Sequence, residues 1–414
     1  MNKNRLSPLF GAMLASLAFG AANALAQATS PVKPTYEIPG GNTKDNDDRP
    51  RGIALQDGIS LYPSLAVSYG RDSNLFLTNL APTSSNKSSI APGLILQAKG
   101  SNSLFTFDYT SDSAKYETSR ADNYSDYRFG GLGEFSVGSR VGLRLGAEHN
   151  KGHDPRGSTD RGLSAKPDVF SNDGLNGLFA YGGNEASGRV ELDAGSYNKR
   201  YKNNRATTFG SDRDNTNFGG RFFARFSPKT YFLVEARQDK FDYKSTTSVF
   251  DSKERRFLVG VTWEATAATS GTVKVGQIRK DFTSSIIKDF SGTGWDAVVQ
   301  WAPQSYSRLD LFTTKSFNES TGLGDFVLSK NYGINWSHDW NSRFTTTAMA
   351  SRKKDDFANG ARNDTTDSFG VKVNYKLQRW LTLGGELINA DRDSNNSTFK
   401  YKRNIYSLTL GATL

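Results

Sequence analysis

The residues that could support catalysis or metal binding are few. The chain has three histidines, His149, His153 and His338, and no cysteine. A hydrolase needs a nucleophile within reach of an oriented base, and none of these histidines has a serine or aspartate at a distinctive spacing. The same scarcity leaves little material for a transition-metal site. The acidic stretches at 45–48 and 355–356 suit calcium only loosely, since acidic loops are usually just solvated. The sequence therefore predicts no enzyme, no catalytic or metal-binding residues and no cofactor.

Charged side chains alternate with apolar ones along many segments. In residues 189–193, for example, positions 189, 191 and 193 are charged, whereas Val190 and Leu192 are apolar. Successive side chains of a strand point to opposite faces, so each segment has one apolar and one charged face. The residues assigned to the charged face are Lys99, Arg128, Arg144, Glu148, Arg189, Glu191, Asp193, Arg221, Arg225, Glu235, Arg237, Lys274, Asp296, Arg308, Asp310, Lys372 and Glu386. Any one of them is most simply explained as ion-paired across strands. As a set, we expect them to line a hydrated lumen.

The strand pattern is clearest in residues 401–414 at the end of the chain. Every second residue from Tyr406 to Leu414 is apolar, and small residues lie between them. A strand needs a partner for its backbone groups, and we expect this one to pair with residues 59–69. About eighteen such segments (range 16–18) follow residue 59, each near the length that a tilted strand needs to cross a bilayer. They predict an all-β fold, a transmembrane antiparallel up-and-down β-barrel.

A β-propeller fits the pattern less well. The hairpins recur at about forty residues, as propeller blades do. A blade packs four strands into that length, however, and this chain offers two. A soluble protein would also expose an apolar row along every strand. In lipid these rows match their surroundings, and closure of the barrel removes the sheet edges.

The connections between segments fall into two populations. Tight turns, such as 100–103 and 138–139, follow the even-numbered segments, whereas longer charged loops, such as 72–88 and 151–172, follow the odd-numbered ones. Transmembrane barrels have short turns at the periplasmic end and long loops outside the cell. Five tryptophans near the short turns suit an interfacial aromatic belt: Trp263, Trp301, Trp336, Trp340 and Trp380.

The start of the chain indicates export. Lys3 and Arg5 precede an apolar core at 9–21 and an Ala-Leu-Ala cleavage site at 24–26, which together predict a signal peptide over 1–26. Residues 27–58 are rich in Pro, Gly, Asn and Asp and predict a flexible periplasmic leader before a barrel over 59–414. An exported chain without cysteine depends on backbone pairing and burial rather than disulfides.

Four stretches carry a resemblance to a known family. They are LYPSL at 61–65 running into RDSNLF at 71–76, IAPGL at 90–94, YSDYR at 124–128, and EHNKGHDPRGS at 148–158. They resemble the β-barrel porin-2 family, outer-membrane proteins often encoded with exopolysaccharide genes, the EpsL type among them. The resemblance spans about 59–414. It implies a conduit or accessory for secreted polysaccharide and no particular site residues. Leu414 departs from the Phe or Trp that usually ends such barrels, which bears on assembly more than on fold.

The sequence leaves three functions open. The first is a passive conduit for exopolysaccharide without catalysis, and the second is a general diffusion porin for small solutes. The third is a structural or enzymatic barrel that acts through its extracellular loops. The expected location is the outer membrane of a Gram-negative cell. The expected partners are outer-membrane lipid, lipopolysaccharide and the assembly machinery, together with secreted polysaccharide and periplasmic export components. The net charge of +10 comes without a compact basic patch, so nucleic acid is not expected.

Overall fold

The computed structural model describes residues 52–183, 186–264, 268–322 and 324–414. The predicted signal peptide and most of the predicted leader lie outside the described residues. The strands are β1 (Ile53–Gln56), β2 (Ile59–Asp72), β3 (Ser85–Lys99), β4 (Ser103–Tyr116), β5 (Tyr124–Val137), β6 (Val141–Asp154), β7 (Asp168–Tyr181), β8 (Gly188–Tyr201), β9 (Arg213–Ser227), β10 (Thr230–Tyr243), β11 (Ser252–Trp263), β12 (Thr269–Phe282), β13 (Phe290–Gln304), β14 (Ser307–Glu319), β15 (Phe326–Asp339), β16 (Phe344–Phe357), β17 (Arg362–Gln378), β18 (Leu381–Ser394) and β19 (Tyr401–Thr413). A helical turn, α1 (Arg205–Thr208), and three short 3-10 turns (Arg120–Asp122, Phe209–Ser211, Ser397–Phe399) lie in connections.

The strands β2 to β19 form one closed antiparallel barrel. Each strand pairs with the next along the chain, and β19 returns to β2 in a register that runs from Ile405 opposite Asp72 to Thr413 opposite Ser64. Closure gives every strand of the barrel two neighbours, so the described part of the sheet leaves no long free edge. The prediction of an antiparallel up-and-down barrel of about eighteen strands is confirmed.

The outer face of the barrel carries the apolar rows. On β2 and β19, for example, Val67 and Tyr69 are exposed, and so are their register partners Leu410 and Leu408. The alternate residues of the same strands, such as Ser68, point to the other side and bond across it, Ser68 Oγ lying 2.6 Å from Ser89 Oγ. The strict period of two therefore separates a lipid-type outer surface from a polar interior. Among the described residues, no helix is both long enough and apolar enough to span a membrane.

The two ends of the barrel differ as the sequence predicts. One end has tight connections, such as 138–140 and 228–229, and the other has longer ones, such as 73–84 and 155–167. The five predicted belt tryptophans all lie at the end with the tight connections. The start of β2 and the end of β19 meet at that same end, where Leu414 donates its backbone N–H to Pro63 O at 3.2 Å.

The long connections are shorter than expected because the strands are longer. Residues 85–88, which the sequence predicts as part of a loop, continue β3 and pair with β2 up to Asp72. Residues 151–154 and 168–172 likewise belong to β6 and β7. Backbone pairing does not require apolar side chains, so a strand can continue past the lipid zone into water. A search for apolar alternation therefore places the strand ends too early.

The end of the predicted leader forms a strand. Residues 53–56 make up β1, which folds back on β2 with Ile53 opposite Leu61. The turn between them contains Gly58 at φ +75°, and a side chain there would also approach Lys99 O to 2.7 Å. Both constraints favour glycine. Since both large apolar residues of β1, Ile53 and Leu55, stay exposed, it extends the barrel wall without adding a core.

Candidate functional site: the barrel lumen

The candidate site is a cavity inside the barrel. It has a volume of about 1110 Å³ and begins beneath the long-connection end, where Leu75, Asp122 and Pro155 line it. Further along the strands its wall is made by inward-facing residues such as Thr106 and Asn176. The period of two places these polar residues inside because their neighbours in sequence occupy the apolar outer face. The result is a polar-lined space within an apolar shell.

Five of the predicted lumen residues line this cavity directly: Arg128, Arg144, Glu148, Arg237 and Glu386. The other twelve also lie on the inner faces of their strands, since the exposed apolar rows occupy the outer faces. Most of these twelve are nearer the tight-turn end. Thus Arg189, Glu191 and Asp193 alternate on β8 with the exposed Val190 and Leu192.

Around the cavity the basic side chains are held by acidic ones on neighbouring strands. Arg128 contacts Asp108 on β4 and bonds Glu148 Oε2 on β6 at 3.2 Å. Arg144 Nη2 lies 2.7 Å from Glu134 Oε1 on β5. These cross-strand pairs fix both partners against the wall, so this part of the lumen, along β4 to β6, is charged but locally neutral.

Toward the tight-turn end the pairs merge into a buried network. Glu191 accepts from Arg189 at 2.7 Å and from Arg221 at 2.9 Å. Asp193 Oδ2 lies 3.0 Å from Arg237 Nη1, two strands away. Side chains from β8, β9 and β10 are thereby tied together. A buried carboxylate with two cationic partners avoids most of the cost of desolvation.

The network continues on the following strands. Lys274 Nζ on β12 lies 3.0 Å from Glu235 Oε2 and 3.0 Å from Asp296 Oδ2. Arg308 donates to Asp310 at 3.0 Å on β14. The remaining predicted residues are Lys99 and Arg225 near the tight-turn rim and the register pair Lys372 and Glu386 on β17 and β18.

Two hairpins bend into the lumen at the long-connection end. Pairing of β13 with β14 stops at Trp295 opposite Lys315, although β14 continues to Glu319. Beyond this break, Phe317 packs against Ile278, which faces the interior. Phe317 continues the row of Leu311, which is exposed on the outer face. The tip of the β14–β15 hairpin has therefore left the wall and turned inward.

The β6–β7 hairpin behaves in the same way. Pairing of β5 with β6 stops at Tyr127 opposite Lys151, while β6 continues to Asp154. Past the break, the His153 ring stacks on Tyr124 with centroids 4.2 Å apart, inside the barrel.

The loops of the two hairpins meet above the cavity and form what we call the cap, residues 155–167 together with 320–322. The Asp160 backbone N–H donates to Thr321 Oγ1 at 3.0 Å, and Arg161 Nη1 donates to Thr321 O at 3.1 Å. Arg362 at the start of β17 donates to Asp160 Oδ1 at 2.8 Å. These contacts join three distant parts of the barrel rim. The cap is thus anchored on both hairpins and on a third strand.

Other contacts hold the cap from below and from the side. The Arg156 guanidinium stacks 4.0 Å from the Phe76 ring and binds Asp122. Gly157 has φ +77°, and a Cβ there would lie 2.0 Å from Phe76 O, so only glycine fits this crossing of two loops. Arg161 Nη2 lies 2.7 Å from Asp168 Oδ2. Burial by itself lowers the pKa of the Arg161 guanidinium, but its neighbours, including Asp168, raise the pKa above the usual value.

Sequence reasoning missed the residues of the cap and of the inward-turned tips. Lys280 is fully buried, and its Nζ lies 2.8 Å from Glu254 Oε1 and 2.5 Å from Glu319 Oε1. Tyr243 also donates to Glu319, at 2.5 Å. The sequence contained one signal for the inward turn of this tip, which is Glu319. This charged residue has the same alternation as Leu311, which lies on the outer face of β14.

The three histidines are each engaged. His149 Nδ1 lies 2.6 Å from Asp173 Oδ1 in an exposed pair, and His153 Nδ1 lies 2.8 Å from Asp126 Oδ2. His338 packs against Trp340 with ring centroids 4.5 Å apart. Among the described residues, no three His, Asp or Glu side chains converge as a metal site would require.

Comparison with known proteins gives one family and several solved structures. The family described as "Putative beta-barrel porin 2" matches residues 58–413. OccAB4 of Acinetobacter baumannii is 12% identical, with a TM-score of 0.47 over 89% of this chain and 100% of that chain. The FrpB iron transporter from Neisseria meningitidis (F3-3 variant) is 10% identical, with a TM-score of 0.45 over 80% of this chain and 62% of that chain, so this chain spans less than two thirds of the length of that FrpB variant. A bacterial polysaccharide outer membrane secretin is 7% identical, with a TM-score of 0.37 over 85% and 98% of the two chains. No curated protein sequence matches the chain.

Proposed function

Because this chain belongs to the beta-barrel porin 2 family, we propose that it is a passive, non-catalytic channel for small polar solutes across the outer membrane of a Gram-negative cell. The observation that carries the proposal is the cavity of about 1110 Å³ with its polar wall, enclosed by a closed apolar shell. A polar lumen of this kind offers water and hydrogen-bonding partners to a solute that the lipid excludes.

The cap sets the size of the solutes that we expect to pass. It joins the β6–β7 and β14–β15 loops across the lumen through Asp160, Arg161 and Thr321. Water and small ions can move around such a bridge, whereas a polymer chain needs the bridge to open. The capped geometry therefore favours small solutes over continuous passage of a polymer.

The direct test is conductance of the purified protein in planar lipid bilayers. We expect stepwise, voltage-tolerant openings in potassium chloride, and permeation of monosaccharides in a liposome-swelling assay. The matched control is a chain without residues 408–414, which lacks most of the β19 segment that pairs with β2 and closes the barrel. Intact protein that inserts and yet neither conducts nor supports swelling would refute the channel.

The second candidate is a conduit or accessory for secreted polysaccharide, the function that the family resemblance implies. The supporting observation is that tyrosine rings and acidic groups share the cavity wall, as with Tyr116, Tyr124 and Asp112. Tyrosine offers both an apolar face and a hydroxyl to a sugar. A deletion strain should then retain polymer in the periplasm, whereas normal secretion in that strain would remove this candidate. The proposed partners in that case are the polymer and periplasmic export components.

An enzymatic barrel acting through its loops is tested separately. The residues best placed for proton transfer are His149 and His153, each beside a carboxylate. Under the channel proposal, His149→Ala and His153→Ala keep full conductance and leave the cell's surface polymers unchanged. Loss of a surface-modifying activity with normal conductance would instead support catalysis. Lipid, lipopolysaccharide and the assembly machinery are the partners proposed for the outer surface and for the terminal strand.

A further inference from the structure

A cluster of basic and amide side chains lies beneath the cap on the inner wall of β6 to β9. Lys199 and Arg213 stand directly opposite each other in the β8–β9 register, and both line the cavity. Each is only 8% exposed. Two like charges at opposite positions of adjacent strands repel each other, and burial strengthens the repulsion. A nearby anion would relieve this repulsion.

The carboxylates of the protein provide little of the negative charge that this pair requires. The Asp154 Oδ2 atom lies 3.6 Å from Lys199 Nζ, but it also accepts from the Tyr201 hydroxyl at 2.7 Å and lies 3.7 Å from Arg161. Among the described residues, no carboxylate is within ion-pair distance of Arg213, whose guanidinium donates to Ser211 O at 3.3 Å.

Glu319, a buried acid on the inward-turned tip of β14, acts on Arg213 through its charge but makes its hydrogen bonds elsewhere. Glu319 accepts from Lys280 and from Tyr243, each at 2.5 Å. Lys199 and Arg213 therefore keep donor capacity on a cavity wall. A carboxylate placed between them would receive charge-assisted hydrogen bonds from both.

Amide groups extend the cluster along the wall. Asn172 is opposite Lys199, and Asn215 is opposite Tyr197. Their Oδ1 atoms are buried without a hydrogen-bond partner, and both residues line the cavity. A buried amide oxygen without a partner costs free energy. The terminal torsion of asparagine is soft, so a small rotation brings either amide atom to face the cavity.

Glycines let the polar side chains of this wall pack closely together. Gly195 lies opposite both Asn176 and Asn217, and a Cβ on it would come within 2.7 Å of Asn217 Oδ1. Gly174, opposite Tyr197, would bring a Cβ within 3.4 Å of the Tyr197 ring. Asparagine donates and accepts, which suits hydroxyl groups.

We propose that Lys199, Arg213, Asn172 and Asn215 form a binding site for a sugar acid inside the lumen. The two cations take the carboxylate of the ligand, and the amides bond its hydroxyl groups. The cavity is large enough for a short oligosaccharide, since it is at the upper end of ligand pockets, which span about 300–1,000 Å³. The site names a substrate class for the proposed channel, and it rests on that proposal.

The test compares trigalacturonate with maltotriose, which has the same number of rings and no carboxylate. Blockade of the single-channel current is measured in planar bilayers, and binding is measured by titration calorimetry on the detergent-solubilised protein. We expect trigalacturonate to act at a concentration about tenfold lower than maltotriose, a difference of about 1.4 kcal/mol, because its carboxylates can accept charge-assisted hydrogen bonds. Equal potency of the two sugars would overturn the proposal.

Variants assign the effect to the site. Lys199→Gln and Arg213→Gln should each weaken trigalacturonate about tenfold and leave maltotriose unchanged. Lys199→Arg should keep the affinity, which separates loss of charge from loss of folding. Lys402→Gln, which removes a highly exposed lysine, is the matched control and should change nothing. Unchanged affinity in the two glutamine variants would refute the site.

The two readouts distinguish this inference from the proposed function. A protein that binds trigalacturonate in the calorimeter but conducts no current refutes the channel and keeps the site. A protein that conducts but binds neither sugar keeps the channel and refutes the site.

Discussion

Deletion of residues 408–414 should prevent the barrel from closing. These residues form the part of β19 that pairs with β2 from Leu408 opposite Tyr69 to Thr413 opposite Ser64. They provide six of the nine residue pairs along that seam. The strand before β19 cannot take its place, because β18 runs parallel to β2 and the seam is antiparallel.

The free-energy cost follows from the lost backbone pairing. An antiparallel seam has about one hydrogen bond for each residue pair, so about six bonds are lost. An amide group left without a partner in hydrocarbon costs about 4 kcal/mol or more. The penalty is therefore on the order of 20 kcal/mol, which exceeds the 5–15 kcal/mol by which proteins are usually stable. Loss of the outward Leu408 and Leu410 adds to this cost.

The assay is refolding of the purified chain from urea into lipid vesicles, followed by electrophoresis with and without heating. Refolding in vitro removes any contribution of the cellular assembly machinery. A chain that lacks residues 51–57 is the control of equal length, since it loses β1 and leaves the β2–β19 seam intact. We expect heat-modifiable, protease-resistant protein from the control and none from the C-terminal truncation. Equal folded yields for the two chains would refute the closed-seam reasoning.

Three further predictions concern the cap, the buried network and the chain end. Since the chain has no cysteine, the double variant Asp160→Cys with Thr321→Cys can lock the cap cleanly. Oxidation should slow liposome swelling in oligosaccharides severalfold and reductant should restore it, whereas equal rates would show that the cap does not limit passage. Lys274→Ala leaves the buried Glu235 and the partly exposed Asp296 without their shared cation and should lower the unfolding free energy by about 3 kcal/mol in urea titrations. The exposed Arg352→Ala is its control and should leave the urea midpoint unchanged, and a similar shift in both would contradict the network argument. Leu414→Phe should raise the fraction of chain assembled in the outer membrane, and no change in that fraction would show that the terminal leucine suffices.

Most of the barrel could be predicted from the sequence because one physical rule governs it. Alternation of apolar and polar residues sets the faces of each strand, and turn length sets the two ends. The rule holds on β8, where Val190 and Leu192 are exposed on the outer face. Arg189, Glu191 and Asp193 lie on the inner face of the same strand. Pairing partners then follow from chain order, since each strand of an up-and-down barrel neighbours the next. The strand ends were less predictable, because backbone pairing continues where the apolar pattern fades.

The individual contacts within the lumen could not be predicted in the same way. Arg237 bonds Asp193 two strands away as well as Asp239 on its own strand. Alternation places all three inside but does not select partners, because partner choice depends on side-chain length, stagger and the neighbouring glycines. The Lys199–Arg213 pair escaped notice for the same reason: it is visible only when the β8–β9 register is known.

The cap shows where the alternation rule stops and why. On β14, Leu311, Phe317 and Glu319 belong to one row, yet Leu311 is exposed outside while the other two are buried inside. The same alternate positions lie outside the barrel in one part of β14 and inside it in the next, because β14 no longer pairs with β13 after Lys315. The unpaired tip can therefore turn inward, out of the plane of the sheet. A carboxylate on a lipid-facing row would be costly, and Glu319 escapes that cost by meeting Lys280 in the interior. Burial of Glu319 therefore marks a hairpin tip that bends into the lumen, whereas Arg352, which continues the outer row of β16, stays exposed on a strand that remains in the wall. His153, which continues the outer row of β6, follows the same logic, so both halves of the cap are marked by residues that break the pattern.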